Sequence, residues 1–136
     1  MSTYYCIFCK QTNECIEIIA EVGCKAGPRI EANALQAFLL YHHLAFKLTP
    51  LDLTIKNMDS FDYGVNMHTS LEDIKAEFES IGSFTGYQPP VLLWNNENYK
   101  SLSARAPGLI DKLDSYQHAP GGGLWVRLAG EKIIND

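Results

Sequence analysis

TYYCIFCK (Thr3–Lys10), QTNE (Gln11–Glu14) and CIEIIAEV (Cys15–Val22) decide the fold. The first and third stretches are rich in aromatic and β-branched residues, and the second is polar and turn-prone. Two such runs around a short polar connection predict an N-terminal β-hairpin.

Working outward, Gly23–Pro28 breaks the second strand. Pro28 is expected in the first turn of a helix, where its missing N–H costs nothing. That helix is predicted from about Ile30 to Lys47, stopping before Pro50. It is apolar on most of its circumference, with one stripe at Leu35, Phe38, His42 and Ala45 and another at Ala34, Ala37, Tyr41 and Leu44. A helix of this kind is buried centrally or covered by a partner. Core burial is the simpler expectation; a homodimer through helix 30–47 is the alternative.

Leu51, Leu53 and Ile55 alternate with Asp52, Thr54 and Lys56, which predicts a strand with these three residues facing inward. Asn57–His68 reads as a loop. Thr69-Ser70-Leu71-Glu72 matches a capping box, and the following helix places Leu71, Ile74, Phe78 and Ile81 on one face before Gly82 stops it. After Pro89-Pro90, Val91–Trp94 is expected as a buried strand. Asn95 or Asn96 caps a helix to about Ala104, and Pro107 opens another with Leu109, Ile110 and Leu113 inward. Beyond the Gly121–Gly123 joint, Leu124–Leu128 and Lys132–Ile134 form a closing hairpin. The expected order is β-β-α-β-α-β-α-α-β-β. It describes one α+β domain over residues 1–136, with a mixed or antiparallel sheet and helices packed on one side.

The chain is 46% hydrophobic and 20% charged, a globular composition. Its net charge of −5 sits within residues 51–79, which hold seven acids and two lysines, while the flanks are each balanced. A concentrated negative field steers cationic partners and opposes nucleic acid. The apolar runs, such as Ala37–Tyr41, are far shorter than the roughly 20 residues a bilayer span requires. No charged leader with an apolar run is visible, so a cytoplasmic protein without membrane contact is expected.

Cys6, Cys9, Cys15 and Cys24 raise the question of zinc. Residues three apart on a regular strand face opposite sides, which separates Cys6 from Cys9. The hairpin brings Cys9 and Cys15 near each other instead. These cysteines are read as small buried hydrophobes, and no metal or cofactor is expected. His42 and His43 point about 100° apart on a helix, so one is expected buried and hydrogen-bonded and the other exposed. His68 and His118 lie in predicted loops, where a general base would need a positioned partner.

Asp59 and Asp62, with Phe61 and Tyr63 between and beside them, have no local helix end to favour their charge. Aromatic anchors among carboxylates compose a binding surface aimed at basic protein. Together with Glu72 and Asp73 they define the expected partner-binding site. The expected function is a small acidic, non-enzymatic binding protein of the inhibitor or immunity-protein type, acting on a basic protein surface. The alternatives are a small enzyme using a loop histidine as acid-base, and a zinc-stabilised interaction module built on the N-terminal cysteines.

Overall fold

The computed structural model describes residues 2–22, 25–28, 30–58, 67–81, 90–106, 108–109 and 111–113. Strands β1 (Ser2–Cys9) and β2 (Glu14–Val22) form the expected antiparallel hairpin, with a bulge between Tyr5 and Cys6. Asn13 closes the turn at φ 55°, a left-handed conformation that asparagine tolerates. β2 is the hub of the sheet. One edge pairs with β1; the other is divided between β3 (Lys25–Pro28), antiparallel to residues 19–22, and β6 (Val91–Trp94), parallel to residues 14–16. β4 (Thr54–Asn57) extends the sheet beyond β1, and the two-residue β5 (Met67–His68) extends it beyond β6.

Helix α1 (Ala32–Phe46) crosses one face of this mixed sheet. Every residue from Ala37 to His42 is buried. The sheet supplies Ile7, Ile16, Leu92 and Trp94 on one side of the helix, and Tyr99, Leu102, Ala106, Leu109 and Leu113 pack into the same core. The middle of α1 is therefore buried within the chain, while Leu35 and Leu44 are half-buried and Ala45 is exposed. Phe38 meets Trp94 edge-on at 5.3 Å between ring centroids, a favoured aromatic geometry. α1 ends on Lys47 at φ 61°, where the Leu48 amide reaches back to the His42 carbonyl and the Lys47 amide to that of His43. That is a left-handed helix end of the simple αL kind, formed without glycine. Helices α2 (Leu71–Ile81) and α3 (Tyr99–Ser103) add Ile74, Tyr99 and Leu102 to the same core, so α1, α2 and α3 cover one face. Residues 109 and 111–113 are also helical, as expected after Pro107, with Leu109 and Leu113 buried. On the opposite face Cys6, Cys15 and Val91 form a smaller cluster with Phe8, Met58, Met67 and Leu93.

Several expectations require correction. Pro28 does not start a helix: it ends β3 opposite Ile19, at a sheet margin where a missing N–H is tolerated. Leu51 does not face inward but is 87% exposed, and Ile55 is 70% exposed. Pro50–Asp52 turns as a short 3₁₀ helix, closed by Asp52 Oδ2 accepting from the Thr49 amide at 2.8 Å, and this ends the alternation. Asn57 belongs to β4 and Met67–His68 to β5, so both ends of the expected loop are strand, and residues 59–66 lie outside the described residues. Before α2 the capping hydroxyl is that of Ser70 and not Thr69, since Ser70 Oγ accepts from the Asp73 amide at 3.2 Å. Ahead of α3, Asn95 Oδ1 accepts from the Glu97 and Asn98 amides at 2.9 and 2.8 Å in a local turn, but the residue at the head of the helix is Asn98, with no side-chain cap, and not the expected Asn95 or Asn96. Ile110, the glycine joint and the closing hairpin lie outside the described residues.

Candidate functional site

Of the six residues expected to bind a partner, Asp59, Phe61, Asp62 and Tyr63 lie outside the described residues. Glu72 and Asp73 are exposed in the first turn of α2, where carboxylates are favoured by the positive end of the helix. α2 carries four acids against one lysine. Its apolar stripe is only partly covered: Ile74 touches the core, whereas Leu71 and Phe78 remain 42% and 43% exposed. These three side chains form one wall of a cleft of about 140 Å³. Thr12, Asn13, Glu14 and Arg105 contribute polar lining, and Pro90 and Leu92 join the apolar part. α2 is tied to the sheet by His68 in β5, whose Nε2 contacts Glu77 Oε2. This gives the loop histidine of the enzymatic alternative a carboxylate partner; His118 lies outside the described residues.

Behind the cleft is a buried ionic network absent from the sequence expectations. Cys9 and Glu14 flank the hairpin turn as directly paired residues on the helix-covered face, and His42 descends on them from α1. His42 Nδ1 donates to the Phe38 carbonyl at 2.7 Å, so its Nε2 is the group turned toward Glu14 Oε1 at 3.6 Å and Thr12 Oγ1 at 3.3 Å. Glu14 Oε2 accepts from Trp94 Nε1 at 2.7 Å and from the Arg105 guanidinium at 3.2 Å. Arg105 also stacks over Tyr41, 4.9 Å from the ring centroid.

Burial alone would neutralise this cluster, and the partners reverse that. Burial pushes His42 down, but its contacts with Cys9 and Glu14 and the Glu14 charge hold it up at about 9. Burial pushes Glu14 up, and His42, Trp94 and Arg105 together bring it below its ordinary value. Cys9 is likewise pushed up by burial and carried below its ordinary value by hydrogen bonds with His42 and Thr12. At neutral pH the pair is an imidazolium and a carboxylate. Cys9, His42 and Glu14 are no more than 2% exposed. The network locks the hairpin turn, α1, β6 and the segment after α3 into one unit.

The cysteine pairing also differs from expectation. Cys9 turns to His42, and it is Cys6 that hydrogen-bonds Cys15, on the other face of the sheet. The hairpin register explains this, since Cys15 opposes Phe8 and Glu14 opposes Cys9. The hydrogen bond from Cys15, helped by Lys56, lowers Cys6, while that bond and burial push Cys15 up. All three thiols are free and buried. Cys24 lies outside the described residues, and among those described no three histidine, cysteine or acidic side chains are placed to hold a metal ion. His42 and His43 behave nearly as expected; His43 is half-buried and donates from Nδ1 to the Leu48 carbonyl at 3.1 Å.

A sequence signal for the network existed. Glu14 sits in phase with Ile16 on β2 and opposite Cys9, so an inward carboxylate was implied, and His42 lies on an apolar stripe of α1. Its other partners, Trp94 and Arg105, are 80 and 91 residues away from Glu14, beyond what local pattern reveals.

No family model, curated protein or solved structure matches this chain. No helix among the described residues is long and apolar enough to cross a membrane.

Proposed function

We propose that this chain is a small acidic binding protein that recognises a basic protein surface through α2 and the cleft beside it. The observation that carries the reading is the pairing of two features on one helix: exposed Leu71 and Phe78 next to the carboxylates Glu72 and Asp73. A helix that leaves Leu71 and Phe78 more than 40% exposed, rimmed by like charge, resembles an interface core with a charged margin. In this reading Leu71 and Phe78 dock an apolar side chain of the partner at the cleft, while Glu72, Asp73 and the expected Asp59, Phe61, Asp62 and Tyr63 meet its lysines and arginines. Rim charges of this kind act mainly on association rate and salt dependence, and desolvated anchors act mainly on dissociation.

The test begins with capture of the partner from the native host, followed by affinity measurements with both proteins purified at several salt concentrations. Reversing Glu72 and Asp73 to lysine is expected to slow association and flatten its salt dependence. Truncating Phe78 to alanine is expected to cost about 2 kcal/mol of affinity, as interface anchors do. Unchanged affinity and salt slope in the charge-reversed protein, with Asp59 and Asp62 reversed as well, would rule the reading out.

A further inference from the structure

We propose that the cleft beside α2 binds a small carboxylic acid whose apolar body is about one ring in size, its carboxylate held by Arg105. α2 supplies Leu71, Ile74 and Phe78 as an apolar wall, and β6 adds Leu92. The polar part comes from the hairpin turn, with Thr12 and Asn13, and from Arg105, which is bonded to the turn through Glu14. A mostly apolar cleft with a few placed polar groups has the composition of a ligand site. Its volume is about 140 Å³, close to the roughly 150 Å³ of a cavity that takes one benzene ring. That bounds the ligand's apolar body.

The sign of the head group follows from which charge is available to a ligand. Glu14 also lines the cleft, but its side chain is 3% exposed and both oxygens are turned to inner partners. Oε2 accepts from Trp94 and Arg105, and Oε1 stands 3.6 Å from His42 Nε2, so one carboxylate answers two cations. Arg105 is the opposite case, with its side chain 32% exposed. Glu14 engages only its Nη1, and Tyr41 lies under the guanidinium at 4.9 Å. These contacts hold the group in place, while its other side-chain N–H donors make no hydrogen bond among the described residues. A held guanidinium with donors to spare is a carboxylate receptor, because its fork matches two oxygens. Half-buried Asn13 adds a side-chain amide that also makes no hydrogen bond among the described residues.

The acids of α2 do not close this site to an anion. At 3.6 residues per turn, Glu72, Asp73 and Glu79 lie roughly 105–135° round the helix from the mean direction of Leu71, Ile74 and Phe78. Glu77 is nearer, but it is paired with His68. Lys75 is nearest of the charged residues, at roughly 70°. The ligand uses the same wall as the proposed partner, yet its binding requires no second protein. A bound acid takes the place of the partner's apolar side chain, so the two occupants exclude each other.

The test is titration of the labelled full chain with phenylacetate, read by amide NMR shifts. Two further probes separate the parts of the ligand: 2-phenylethylamine keeps the ring and reverses the charge, and acetate keeps the head group alone. Phenylacetate is expected to saturate with a Kd on the order of 1 mM or below, shifting the amides of Thr12, Asn13, Leu71 and Leu92. The amine and acetate are expected to bind at least about tenfold more weakly, and Arg105→Gln to weaken phenylacetate by at least about tenfold. Arg105 also holds Glu14, so the fold of that variant is checked by circular dichroism. Leu71→Glu, at an exposed position of the wall, is the independent variant and is expected to abolish binding. Phenylacetate that leaves these amides unmoved, binds no better than the amine, or keeps its affinity in folded Arg105→Gln or in Leu71→Glu overturns the proposal. A captured partner that docks on α2 while phenylacetate stays inert overturns this proposal alone, and phenylacetate binding without any such partner leaves it standing.

Discussion

Replacing His42 by phenylalanine isolates the electrostatic part of the buried network. The new ring fits among the aromatic neighbours Phe38, Tyr41 and Trp94 that already surround the imidazole. What is lost is the cation. Glu14, 2% exposed, keeps Trp94 and the partly exposed Arg105 but loses its most buried counter-charge. The magnitude follows from the histidine itself. Its folded-state value is about 9 against 6.5 for the free side chain, so protonation stabilises the fold. At about 1.4 kcal/mol per pH decade, the gap corresponds to about 3 kcal/mol. Because the value is raised on folding, this stability is fully present below pH 6.5 and disappears as pH rises through 9. Glu14 has the opposite sign: its contribution is present above 4.5, its ordinary value, and is lost as pH falls through its lowered folded value. Urea unfolding of wild type and His42→Phe at pH 6 and pH 10 is the assay. The variant should be about 3 kcal/mol less stable at pH 6, a large fraction of the roughly 5–15 kcal/mol that holds a domain together. The difference should shrink markedly at pH 10. A double-mutant cycle with Glu14→Gln should return a coupling of about 2 kcal/mol at pH 6. Parallel loss of stability in both proteins across this pH range, or a coupling near zero, would refute the ion-pair argument.

Two further outcomes are expected. Asn98→Ala should cost about 2–3 kcal/mol by thermal or urea unfolding, because its side chain bonds the Thr69 carbonyl at 2.7 Å, the Leu93 carbonyl at 3.0 Å and the Asn95 amide at 2.7 Å, joining three segments. Leu39→Ala, at a site 2% exposed, should cost about 2–5 kcal/mol, whereas Leu51→Ala should stay within about 0.5 kcal/mol, measured the same way.

The parts of the fold legible in the sequence are those set by local pattern. The 3–22 hairpin, the enclosed helix near 30–47 and the buried Val91–Trp94 strand each announce themselves through β-rich runs, an apolar circumference or a short apolar stretch. What periodicity cannot carry is choice of neighbour. β6 enters parallel to β2 from 75 or more residues away, and that insertion leaves β3 only the far half of the same edge. Alternation at Leu51, Leu53 and Ile55 shows that a strand exists nearby, but inward and outward are decided by what covers the face. The candidate surface was legible to a similar degree. The acids and the stripe of α2 are visible in the sequence, while the exposure of Leu71 and Phe78 depends on how far the helix stands from β6 and the hairpin turn.

The divided edge of β2 has a kinetic side. Its pairing with β1 closes a four-residue turn and with β3 a connection of two residues, so both form at little cost in chain entropy. Its pairing with β6 closes a loop from residue 16 to residue 94, and the Trp94–Glu14 bond joins at the same seam. The three-stranded N-terminal meander is therefore expected to form early, and docking of β6 is expected to be the late step that seals Glu14 from water, so that the strand completing the core also commits the chain to its buried charge.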